Sequence, residues 1–103
     1  MPLRDEIAEL LRMPEDGAGA PSLGAIESTL TDGYAAKLEL EAERWRIERR
    51  LGEVVRDASQ VPDRREFAQL SEQLETADGE LARLRSLLRN LQARRRLARS
   101  AAG

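Results

Sequence analysis

Cysteine and histidine are both missing from this chain. Their absence removes disulfides, thiol nucleophiles and metal sites built on thiolate or imidazole, so proton-transfer or metal chemistry would have to rest on carboxylates, Lys37 or Tyr34. Aromatic residues are almost as scarce, with one Trp, one Tyr and one Phe, while 35% of the residues are charged. That balance suits elongated helical bundles and coiled coils, in which each helix has much surface per buried residue. No apolar run approaches the ~20 residues of a membrane span. The opening Met1-Pro2-Leu3-Arg4-Asp5-Glu6 lacks the basic-then-apolar form of a signal peptide, and a cytoplasmic protein without membrane association is expected. Lysine is present once, at Lys37, and the remaining cations are all Arg, which suits a GC-rich genome better than a demand for guanidinium.

What the chain does have is periodicity. From Phe67, alternate steps of three and four residues reach Leu70, Leu74, Ala77, Leu81, Leu84, Leu88, Leu91, Arg95 and Ala98, and only Arg95 breaks the apolar series. A stripe sustained over this length predicts a long helix pressed against another helix. A weaker seam precedes it: Leu23, Ile26, Leu30, Gly33, Lys37, Leu40, Arg44, Ile47, Leu51, Val54 and Ala58. Ser22 is a good N-cap for that helix, whereas Thr31-Asp32-Gly33 is a break signal that leaves open a short helix ending near Thr31. Val61-Pro62-Asp63 marks a tight turn near residues 59–63, because Pro62 disfavours helical dihedrals at Val61 and suits the first turn of a new helix. Asp78-Gly79 is a second break signal, but the heptad passes through it unshifted and the helix is kept whole.

Two long helices joined this closely must run antiparallel. Pairing about residue 60.5 sets Val54 against Phe67, Leu51 against Leu70, Ile47 against Leu74, Leu40 against Leu81 and Leu30 against Leu91, so the apolar layers coincide. Ahead of the hairpin, residues 1–13 carry Leu3, Ile7, Leu10 and Leu11 on one side of a short amphipathic helix that must dock to be stable, in cis or on a partner. Residues 14–21 are a Gly/Pro-rich flexible linker, residues 22–100 the hairpin, and residues 101–103 a disordered tail. The fold expected is therefore all-α: a long antiparallel helical hairpin, or coiled coil, preceded by a short amphipathic helix and dimerising into a four-helix bundle.

Charge is segregated along the chain. No acidic residue follows Glu80, while Arg83, Arg85, Arg89, Arg94, Arg95, Arg96 and Arg99 do. Arg94, Arg95, Arg96 and Arg99 are the candidate anion contacts of a nucleic-acid-binding accessory protein, which is the alternative reading. Pairing within the hairpin competes with it, through Glu27 near Arg99 and Glu41 near Arg85, although Glu43 facing Glu80 argues the other way. Glu39, Glu41, Glu43 and Glu48 lie off the seam with no His beside them, so a solvated face making pairs such as Arg44 with Glu48 is expected rather than a metal site. There is no Walker or nucleophile-elbow pattern. No enzyme activity, cofactor, metal or small-molecule substrate is expected.

One departure from the heptad points to function. Tyr34, Leu38, Trp45 and Val55 fall at the e and b positions of the second helix, and Leu87 and Leu97 fall off the seam of the third, on flanks that a two-stranded hairpin would leave in water. Covering such a stripe contributes roughly 1.5–3 kcal/mol for a large side chain, and a short first helix spanning roughly 16 Å cannot cover all of it. The expectation is a homodimer interface, or a protein-partner interface, on an adaptor, scaffold subunit or small regulator.

Overall fold

A computed structural model describes residues 2–57 and 63–102. Three helices make up the described chain: α1 (Pro2–Arg12), α2 (Leu23–Arg56) and α3 (Arg64–Ala102). Its contacts divide into two compact units, the first comprising Met1–Lys37 with Arg83–Gly103 and the second Leu38–Ala82. The expected turn at 59–63 lies, up to Pro62, outside the described residues.

Local chemistry accounts for the helix ends. α1 begins at Pro2, whose missing N–H costs nothing in a first turn, and carries Asp5 early and Arg12 late, each matched to the helix dipole. It ends just before Met13, whose N–H reaches Leu10 O at 3.2 Å, and Pro14 follows. In the connector Gly17 takes a φ of 84°, open to glycine and costly for other residues, and a turn closes as Ala20 N–H donates to Gly17 O at 3.2 Å. Ser22 caps α2: its Oγ accepts from Ala25 N–H at 3.1 Å and its carbonyl from Ile26 N–H at 3.1 Å. Asp63 does the same for α3, its Oδ1 accepting from Arg65 N–H at 3.0 Å and Glu66 N–H at 3.3 Å. α2 is unbroken through Thr31-Asp32-Gly33, where the Thr31 hydroxyl donates to Glu27 O at 3.0 Å, and α3 is unbroken through Asp78-Gly79. α3 continues to Ala102, past the stop near residue 100 that the sequence suggests, on alanines that favour the helix.

In the first unit α2 and α3 bury Ile26, Leu30, Ala36, Leu84, Leu88 and Leu91, and α1 adds Ile7, which has no exposed surface. Gly33 lies against Leu88, the partner that pairing about residue 60.5 assigns to it. The second unit is far thinner. Among its described residues only Ile47, Ala77 and Leu81 are buried hydrophobics. Leu40, Leu51, Val54, Leu70 and Leu74 on the same seam are half-buried, and Phe67 is exposed. Ion pairs tie the two helices here: Arg44 binds Asp78, and Arg50 reaches Glu66 at 2.6 Å. These two arginines have their pKa raised further above the ordinary guanidinium range, chiefly by the hydrogen bonds they donate to Asp78 and Glu66 respectively. The guanidinium charge of each pair is lost only as pH rises through those raised values, so both arginines stay charged across the neutral range.

Candidate functional site

In the second unit α2 presents Leu38, Trp45 and Val55 to solvent, with relative exposures of 65%, 57% and 62%. Helical spacing explains the grouping, since these residues sit on the flank away from the seam of buried Ile47 and half-buried Leu40, Leu51 and Val54. Trp45 is not loose on that surface. The Arg49 guanidinium, one turn on, lies 5.4 Å from its ring centroid, a cation–π contact worth about 0.5–1 kcal/mol at an exposed site. Arg49 also pairs with Glu53 at 3.7 Å, so the guanidinium bridges the indole and a carboxylate of the same helix.

In the first unit the remaining off-seam residues separate. Tyr34 is 37% exposed and its hydroxyl accepts a hydrogen bond from the Gln92 amide of α3. Leu97 is exposed, whereas Leu87 is half-buried. α1 sits on Gly33: a Cβ built there would overlap Leu88 Cδ2 and lie 3.7 Å from Ile7 Cδ1. Leu3, Leu10 and Leu11 are half-buried beside Ile7. The glycine that reads in sequence as a break signal is thus a seat, a place on α2 without a side chain where Leu88 and Ile7 both fit.

The four candidate anion contacts are placed unequally. Arg94 is turned onto the C-terminus of α1, donating to Leu11 O at 2.7 Å, to Pro14 O at 3.0 Å and to Met13 O. A guanidinium there satisfies carbonyls that the helix cannot and complements the negative end of its dipole. Arg95 and Arg99 pair with Glu27 at 3.5 and 3.9 Å, and Arg96 is exposed. The clasp by Arg94 has no signal in the sequence, because it depends on where α1 lies. Its removal in Arg94→Ala should destabilise α1 selectively: a hydrogen bond from a charged group is worth about 1.5–3 kcal/mol, so amide exchange over residues 2–12 should accelerate at least tenfold while Leu84 to Leu91 stay protected.

Among the described residues no group of three or more acidic side chains is placed to hold a metal ion, and no helix is long and apolar enough to cross a membrane. Arg44 pairs with Glu48 at 2.8 Å, and Arg49 and Arg50 pair with Glu53 on the same helix. Compared with protein-family models, curated proteins and solved structures, the chain matches none. What the arrangement offers chemically is a helical surface with an anchored indole.

Proposed function

We propose that this chain is a non-catalytic, cytoplasmic protein–protein interaction module, an adaptor, scaffold subunit or small regulator. Two copies associate through the Leu38–Trp45–Val55 flank of α2, turning paired helices into a four-helix bundle. The exposed Trp45 carries the reading, because a large aromatic side chain on an apolar flank is the kind of anchor that dominates association energies. The thin core of the second unit supports it: a two-helix layer whose buried hydrophobics, among the described residues, are Ile47, Ala77 and Leu81 offers little to offset the entropy of ordering its residues. A two-fold axis would let the same flank meet itself and close the assembly.

Nucleic-acid binding through the Arg-rich end of α3 has less support, since Arg94 holds α1 and Arg95 and Arg99 pair with Glu27. Trp45 is the sole indole, so its fluorescence reads the proposed interface without a label. Emission should shift to the blue as the concentration rises from nanomolar to micromolar, with little dependence on salt. Emission fixed at the wavelength of hydrated indole throughout that range would reject self-association by this flank.

A further inference from the structure

The two flanks of the paired helices are not equivalent, and the flank opposite Trp45 differs between the units. In the first unit α1 lies on the flank marked by Arg94 of α3. Leu87, one heptad earlier on that flank, is half-buried, and Ala36 of α2 is buried. One heptad further along α2 from Ala36 stands Glu43, and one heptad back along α3 from Leu87 stands Glu80. These two carboxylates, with Glu72, line an open groove of about 420 Å³ in the second unit, whose floor is Ile47 and Ala77. No cation lines it. The flank on which α1 lies in the first unit is therefore a groove with acidic walls in the second.

Like charges facing one another across paired helices are destabilising unless something cationic comes between them. We propose that this groove is a docking site for a basic amphipathic helix of another protein, laid between α2 and α3 of the second unit as α1 is laid in the first. Charge selects the occupant. A second copy of α1 is unsuited, since Arg4 and Arg12 are outnumbered by Asp5, Glu6 and Glu9. The Arg-rich part of α3 is also unsuited, because its apolar residues Leu84, Leu88 and Leu91 are buried in its own unit. From Gln69 to Glu80 the lining covers about 16 Å of α3, room for roughly three helical turns, and α1 itself has 11 residues. The occupant would place small or medium apolar side chains on Ile47 and Ala77 and Lys or Arg beside Glu43, Glu72 and Glu80. The proposal is independent of self-association, which uses the other flank.

The test titrates the full chain with a synthetic helix of ~14 residues, about four turns, bearing Leu on one stripe and Lys elsewhere, and with a control carrying Glu in place of Lys. The Lys peptide should bind and shift the amide resonances of Gln69, Gln73 and Thr76. Glu43→Gln with Glu80→Gln should weaken it about tenfold while leaving the melting temperature unchanged or higher, as expected from losing two charge contacts and one repulsion. Glu39→Gln with Glu75→Gln makes the same charge change at exposed positions outside the groove and should weaken it less than about twofold. Equal weakening by the two pairs, equal binding of the Glu peptide, or resonance shifts confined to other residues would overturn the site.

Discussion

Leucine in place of Gly33 should lower the stability of the chain by about 3 kcal/mol and release α1. The side chain would enter space held by Leu88, 3% exposed, and Ile7, which is fully buried. A leucine there needs the space of both Leu88 and Ile7, so Leu88 has to turn aside and α1 to leave its seat. Hydrogen exchange over residues 2–12 should then match that of an unstructured peptide, while α2 and α3 stay helical. Gly79 supplies the contrast. It too lies inside a helix, but nothing stands within 4 Å of a Cβ built there, so Gly79→Ala should raise stability by about 1 kcal/mol through helix propensity alone. Denaturant unfolding of the two variants checks both signs, and a neutral Gly33→Leu would mean that α1 is not seated there.

The second large effect belongs to Leu91. It has no exposed surface, and Leu30, the partner assigned to it by the register, is 5% exposed. Leu91→Ala removes three heavy atoms from a site walled by α2 and α3, and a cost of about 3–4 kcal/mol is expected, combining lost transfer energy with the cavity left behind. Leu97 lies two turns further along the same helix and is 47% exposed, so Leu97→Ala should stay within about 0.5 kcal/mol. The comparison holds residue type and helix constant and varies burial alone. Equal effects at the two positions would contradict the packing of the first unit.

The parts of this fold that were legible in the sequence rest on local chemistry or on one repeating contact. Ser22 caps α2 because a hydroxyl can accept an N–H three residues on, and the Leu81–Leu84–Leu88–Leu91 run is buried because its spacing keeps it on one face. Gly33 was legible only in part: its place on the seam opposite Leu88 follows from the pairing about residue 60.5, but its role as a seat for α1 does not. Seen along the chain it is a glycine after Thr and Asp, the ordinary mark of a helix break, and its role as a seat exists only once α1 and α3 meet there. The same holds for Arg94, one cation in an Arg-rich stretch until the carbonyls of α1 are placed beside it. Of the candidate site, the exposure of Leu38, Trp45 and Val55 follows from their positions off the heptad. Leu87 does not share it, being half-buried on the flank that carries Arg94, a division that two-helix geometry alone does not reveal.

Association through the Trp45 flank is the central claim, and sedimentation equilibrium tests it most directly. At micromolar concentration the wild-type chain should sediment at about twice its mass of 11.5 kDa, and Trp45→Glu, which would bury a charge at the interface, should shift it toward the monomer with lower helicity. A wild-type chain that sediments as a fully helical 11.5 kDa monomer, unchanged by Trp45→Glu, would contradict the account.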